Sequence, residues 1–407
     1  MRQTTARIRC DSLRDVEPSD HVLWQKVKIR EIGKVVTGMT PPTKHQAYYG
    51  DDYLFVTPSD LDFDSYIVSK TERCISKQGY EKYSNRFIPA MSTMYTCIGS
   101  TIGKIGLCRE TVLTNQQINS IIPNDVHDAK FVYYLMRSQT NEIRALNAGC
   151  AVPIINKGDF ENIDVHLPPL PVQRRIADIL SAYDDLIENN RRRIAILEET
   201  ARLTYRKWFN ENSSLTASVR IGEFIELQNG FAFKSNTFVE AGQYKIITIK
   251  NVKDVIVDSG NVAFVNRIPE RMPIHCRIHP RDILLSLTGN VGRVSIAIDH
   301  DGLLNQRVAK VKSDFPWCSL LFLTSNESFS LMNNLAVGAA QQNLSPVKLC
   351  DEFVEMPIRV KMAQIEKLVA PLFDQIVLLA QQNTALAAAR DMLLPRLMKG
   401  QPCFSSL

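Results

Sequence analysis

Polar side chains that can read bases or meet phosphates recur in two runs along this 407-residue chain. In the first half they are Lys44, following a Pro-Pro turn, then Ser100, Thr101 and Lys104 in a glycine-bearing run, and Gln116 and Gln117 after Asn115. In the second half they are Lys234, Asn290, Arg293, the pair Gln306 and Arg307 after Asn305, and Gln341 and Gln342 before Asn343. His45, Ser235, Asn251, Arg271, Arg277 and Arg281 extend the same set. Arginine and lysine donate to guanine O6 and N7, and asparagine and glutamine pair with the adenine edge, so these residue types suit the major groove of DNA. Taken one at a time, polar loop residues are ordinary. The Asn-Gln pairs fit equally well a structural role in which their amides tie a turn.

Other chemistries find less support. GSTIGKIG (99–106) resembles a phosphate-binding loop, but it is one residue short and Ile105 stands where a hydroxyl must hold Mg²⁺. A turn with Lys104 and its counterpart Arg293 as exposed cations facing a phosphate is the better reading; plain surface charge is the alternative. His275 and His279 are four apart but bracketed by Pro273 and Pro280, so they do not share a helix face suited to a metal. No Glu-x-Lys tripeptide occurs, which argues against the common nuclease metal site, and no Asn-Pro-Pro-aromatic tetrapeptide or G-x-G-x-x-G is present. The net charge of +5 permits nucleic-acid binding without requiring it. Nine cysteines without a C-x-x-C pair fit reduced thiols, and neither an apolar run of membrane-spanning length nor a secretory leader is present, so a cytoplasmic protein is expected.

The two runs belong to a pseudo-repeat. Gly103, Gly149, Pro168 and Ile176 have counterparts 189 residues on, at Gly292, Gly338, Pro357 and Ile365. Ile29, Glu31 and Gly38 match Ile221, Glu223 and Gly230 at 192, and Tyr53 and Thr57 match Tyr244 and Thr248 at 191. LTNQQINSI (113–121) aligns with LLNQRVAKV (303–311). Each copy, about 24–167 and 213–356, is rich in short Val, Ile, Thr and Tyr runs broken by Gly, Pro, Asn and Asp, which predicts a mixed α/β module with a prominent sheet. A proline segment closes each copy, and a long helix follows. In the first, Ile176, Ile179, Tyr183, Leu186, Asn190, Ile194, Leu197, Ala201, Thr204 and Trp208 recur every three or four residues, with Pro171 in the first turn. The second carries a similar stripe from Ile365 to Leu397, within which Pro371 predicts a kink or a delayed start. Pairing the stripes buries both. An antiparallel pairing sets Asn190 beside Asn383, whereas a parallel one sets it against Leu379, so the antiparallel arrangement is expected; the alternative leaves both asparagines facing solvent.

The segment LPPLPVQRRIADILSAYDDLIENNRRRIAILEETARLTYRKWF (167–209) resembles the central conserved region of specificity subunits of type I restriction-modification enzymes, and LLPRLMKGQ (393–401) resembles their C-terminal end. The chain departs from the pattern at Met362, which takes the place of Gln173 in the second copy, and at Pro371. The resemblance implies an α+β fold: two pseudo-repeated mixed α/β target recognition domains separated by two long antiparallel helices forming a coiled coil. The expected division is 1–171 for the first recognition domain, 172–212 for the central helix, 213–360 for the second recognition domain and 361–407 for the C-terminal helix. It also implies a non-catalytic subunit that binds a bipartite, asymmetric site on double-stranded DNA. Two modification (methyltransferase) subunits and the restriction (translocase and nuclease) subunits would dock on the helices. The chain itself would hold no cofactor; S-adenosylmethionine, ATP and Mg²⁺ would belong to those partners. Arg191, Arg192 and Arg193, with Asp184 and Asp185, would be partner contacts, or else a solvated helix face. A stand-alone DNA methyltransferase of unusual type and a protein-binding scaffold are the rival readings.

Overall fold

The computed structural model describes residues 24–146, 153–211, 215–253, 255–260, 262–338 and 342–400. The chain divides into two compact units, Met1–Asp184 with Ala388–Leu407, and Asp185–Ala387.

In the first unit a five-stranded sheet runs in the order Gly33–Thr37, Ile118–Pro123, Thr93–Thr96, Ile105–Cys108 and Ile67–Val68. Its first four strands pair antiparallel, and the last joins in parallel. A second sheet sets Leu113–Thr114 parallel to Tyr53–Val56, with Arg73–Ile75 and Tyr49–Gly50 beyond. The helix Ala129–Ser138, capped by the Asp128 side chain on the Phe131 amide, buries Phe131 through Met136. Gln25–Lys28 pairs with Asp164–Leu167 and brings the chain to the start of the first long helix.

The second unit repeats this topology. Glu226–Asn229, Val308–Lys312, Ile283–Ser286 and Val294–Ile296 form an antiparallel sheet, Gly302–Leu304 lies parallel to Tyr244–Ile247, and Thr216–Arg220 pairs with Phe353–Pro357. Ile283–Ser286 is buried throughout, which is why it reads as an apolar run rather than an alternation. The glycines that anchor the repeat have physical causes. Gly103 and Gly292 adopt φ of 89° and 79°, the left-handed region that other residues enter at a cost. At Gly38 and Gly230 the constraint is close approach: a Cβ would lie 2.2 Å from the carbonyl oxygen of Thr114 or of Asn305.

The long helices span Leu170–Glu211 and Arg359–Met398. In the first unit Asp184 forms an ion pair with Arg390, and Ala177 and Leu180 share a core with Leu394 and Leu397. In the second unit Asn190 Nδ2 donates to Asn383 Oδ1 at 3.0 Å, and Ala201 shares a core with Phe373, Ile376 and Val377. In each unit the partner's number falls as the first helix advances, so the segments pair antiparallel, as Asn190 and Asn383 predicted. The second helix begins at Arg359 and continues through Pro371, so the delayed start that Pro371 suggested does not occur. Pro371 and Lys367 are exposed, so the Lys367 carbonyl that loses its helical donor can be solvated instead.

Asp184 corrects a second expectation. It is 2% exposed, as is Arg390, and it also accepts from the Tyr134 hydroxyl, so it is not a surface contact for a partner. Burial, followed by the neighbouring Asp184 charge, pushes the Tyr134 phenol far above its ordinary range and keeps it a donor. Arg390 Nε donates to Asp391, which also accepts from Arg137, while Arg390 Nη2 is buried without a partner. Arg191, Arg192 and Arg193 are exposed, with Arg192 paired to Glu188 at 3.0 Å. Breaking one side of a buried pair strands the other charge. Arg390→Met is therefore expected to cost about 3 kcal/mol in urea unfolding, and Asp184→Leu with Arg390→Leu to recover most of it. Equal losses in the single and double variants would contradict a coupled pair.

Candidate nucleic-acid interface

Each module carries a turn at the end of its parallel strand pair, and the two turns are held by the same hydrogen bonds. In the first module the Asn115 amide N–H donates to Val56 O at 3.0 Å, and its side-chain Oδ1 accepts from the Gln117 N–H at 3.1 Å. In the second, Asn305 N–H donates to Ile247 O at 3.0 Å and Asn305 Oδ1 accepts from Arg307 N–H at 3.4 Å. The carbonyl of Gln117 accepts from Cys97 N–H at 2.8 Å, and that of Arg307 from Leu287 N–H at 3.0 Å. Met39 N–H donates to Thr114 O and Phe231 N–H to Leu304 O, each at 2.8 Å, just beyond the closely approaching Gly38 and Gly230. The asparagines thus do the structural work, and the residues two positions on are fixed in backbone while their side chains differ.

A second loop faces each turn. Asp60 Oδ2 accepts from Thr57 N–H at 2.8 Å and from its hydroxyl at 2.7 Å. Asn251 Oδ1 accepts from Thr248 N–H and hydroxyl, each at 2.9 Å. Turn and loop enclose a cleft in each module. The first, about 370 Å³, is lined by Thr57, Ser59, Asp60, Glu72, Arg73 and Gln117 among others. The second, about 870 Å³, is lined by Thr248, Lys250, Asn251, Lys253, Asn290 and Arg307 among others. Equivalent walls carry different side chains: the first cleft has Asp60, Glu72 and Arg73, and the second has Lys250, Lys253 and Arg307 together with Glu240 and Asp258.

Of the residues singled out in the sequence, Gln117, Asn290, Arg307, Asn251 and the two turn asparagines meet in these clefts. Gln116 is exposed beside Gln117, with its Oε1 accepting from the Thr40 hydroxyl at 2.7 Å; Gln306 is exposed beside Arg307. Lys44, Ser100 and Lys234 are exposed elsewhere. Thr101 is half-buried, its hydroxyl donating to Ile98 O at 2.7 Å. Arg293 is exposed with its guanidinium 5.6 Å from the Phe329 ring centre and does not line the cleft. Gln342 is exposed and its carbonyl accepts from Gly289 N–H; Gln341 lies outside the described residues. His275 has a ring nitrogen 2.9 Å from the Asn229 carbonyl oxygen.

Lys104 is not the exposed cation that the glycine-bearing run suggested. Its ammonium donates to Pro58 O at 3.0 Å, lies 3.7 Å from Asp62, and its side chain is 20% exposed. It braces the loop Pro58–Asp60 from within the module. Ser59, Glu72, Arg73, Lys250 and Lys253 went unmarked in the sequence reading. A signal for the loop was present, since Thr57 and Thr248 already stood in register and each is followed three residues on by Asp or Asn, a side-chain acceptor for a turn.

Residues 21–199 match the type I restriction modification DNA specificity domain family. The chain is 27% identical over 410 residues to the MjaIX type I restriction enzyme specificity subunit of Methanocaldococcus jannaschii, covering 93% of each. It is 30% identical over 176 residues to the HindI specificity subunit of Haemophilus influenzae, covering 41% of this chain and 38% of that one. In fold it is similar to the crystal structure of a type I restriction-modification S subunit from M. genitalium, with a TM-score of 0.56 at 16% identity, over 96% of this chain and 99% of the other.

Lys104→Met is expected to lower unfolding stability by about 1 kcal/mol, through the lost tie to Pro58, and to leave the salt dependence of DNA binding unchanged. A log-log salt slope shallower by about one would place Lys104 on a phosphate instead.

Proposed function

We propose that the chain is a specificity subunit of a type I restriction-modification enzyme, the non-catalytic kind of subunit that recognises the DNA sequence, and that each module reads one half of a bipartite, asymmetric site. The family match over 21–199 and the relative similar over 93% of the chain support this. The observation that carries the reading is the repeat of one turn-and-loop framework in both modules with different side chains at its open end. Two copies of a framework suit two half-sites, and different side chains suit different sequences.

Two modification subunits and the restriction subunits bind the long helices in this proposal. The exposed Leu186, Ile196 and Leu203 on the first helix and the neighbouring Arg191, Arg192 and Arg193 support a partner-binding face, since apolar side chains there otherwise remain in water. S-adenosylmethionine, ATP and Mg²⁺ are assigned to those partners. Their chemistry is methyl transfer to adenine, translocation and strand cleavage. None of the described helices is long and apolar enough to cross a membrane, and a cytoplasmic location beside the chromosome suits the role.

Co-expression with a type I modification subunit, followed by sequencing of genomic methyladenine, tests this. The expected result is a single bipartite motif of which only one half changes when residues 24–167 are exchanged for those of another specificity subunit. A motif unaffected by the exchange, or one whose halves are an inverted repeat, would contradict the proposal.

A further inference from the structure

We infer that Gln117 and Arg307 are the equivalent base-reading residues of the two modules, Arg307 selecting guanine and Gln117 adenine at the same position relative to each framework. This deepens the proposed function and rests on it.

The two residues occupy one structural place. Each is second after a turn asparagine whose Oδ1 holds its N–H, at 3.1 Å for Gln117 and 3.4 Å for Arg307. Each has its carbonyl held by the strand behind, from Cys97 and from Leu287. With the carbonyl bonded at 2.8 Å in the first module and 3.0 Å in the second, and the N–H turned toward the asparagine in both, the backbone is restrained and the side chain leaves from a defined point into a cleft. A rigid origin is what a specific base contact needs, because a side chain on a mobile loop fits several bases equally well.

The side chains then differ where the framework does not. Thr57 and Thr248 keep the same bonding to Asp60 and Asn251, whereas Gln117 becomes Arg307 and Ser59 becomes Lys250 across the repeat. A guanidinium presents parallel donors that match guanine O6 and N7, and a carboxamide presents one donor and one acceptor that match adenine N6 and N7. The Gln117 Oε1 is engaged by Asn115 Nδ2 only at 3.5 Å, a long contact that a base amino group can replace. The surroundings lean the same way. Lys250, Lys253 and Arg307 outnumber Glu240 and Asp258 in the second cleft, although Lys253 is paired with Asp258 at 3.0 Å, and a positive balance favours guanine's two acceptors. Asp60 and Glu72 outnumber Arg73 beside Gln117 and favour a base edge that also offers a donor.

The test uses the full chain assembled with its modification subunits, as wild type, Gln117→Arg, Arg307→Gln and Arg307→Lys. Binding is measured to a panel of duplexes in which each position of the wild-type motif is varied to all four bases. Arg307→Gln should lose preference for guanine over adenine at one position of one half-site by roughly tenfold or more, leaving the other half unchanged. Gln117→Arg should produce the reverse shift, adenine to guanine, in the other half. Arg307→Lys should relax the same position without moving it, because the charge remains and the fork is lost. Unchanged base preferences, or affinity lost equally for every duplex, would overturn the assignment. A wild-type complex with no sequence preference would instead overturn the broader reading, so the two failures are distinguishable.

Discussion

The asparagine turn is the constraint on which the proposed recognition surface depends. An amide side chain at Asn115, and at Asn305 in the second copy, takes a backbone donor that would otherwise need water, and so fixes the next two residues at the mouth of a cleft. The constraint reaches inward. Gly38 and Gly230 exist to let a neighbouring backbone reach within bonding distance of the turn, and a Cβ at either would strike it. It also reaches sideways, because the facing loop is closed on itself by Thr57 and Asp60 or by Thr248 and Asn251. In the first module Lys104 adds a tie from that loop back into the fold. What the second module does with lysine, asparagine and arginine, the first does with serine, aspartate and glutamine, upon nearly the same set of backbone hydrogen bonds.

The long helices obey a related rule, in which polar groups placed inside an apolar seam select one partner. Asn190 against Asn383 and Asp184 against Arg390 each leave a buried polar group unmatched if the register slips, so both oppose sliding more strongly than leucine pairs do. The Asp184 site is the more demanding, because Tyr134 and Asp391 join it and one guanidinium nitrogen has no partner. A hydrocarbon pair of similar volume would avoid that cost, and it is the specificity of the pairing that the ionic pair supplies.

Much of the architecture was legible in the chain because it is written twice. The repeat identified the modules, and the stripe from Ile176 to Trp208, together with the position of Asn190, identified an antiparallel helix pair. Pro371 misled about where the second helix starts, because a missing N–H matters less where the orphaned carbonyl faces water. Asp184 and Lys104 misled for one reason: a charged residue in a polar run is read as exposed, and only tertiary structure supplies a buried partner such as Arg390 or the Pro58 carbonyl. The candidate site was half legible. Asn115 and Asn305 stood out, with the structural alternative for their amides stated, but the cleft needs a loop about sixty residues away in sequence, and no local pattern tied Lys250 or Glu72 to it.

In the proposed mode of recognition the two modules present the same point of their framework to different halves of one DNA site. Site-specific photocrosslinking tests it most directly: a photoreactive side chain is placed at position 117 or at position 307 of the full chain, assembled with its modification subunits and bound to its target duplex, and the crosslinked nucleotide is mapped. Crosslinks are expected to bases in opposite halves of the site, at matching distances from its ends. Crosslinks from both positions within one half, or only to DNA outside the recognised bases, would contradict it.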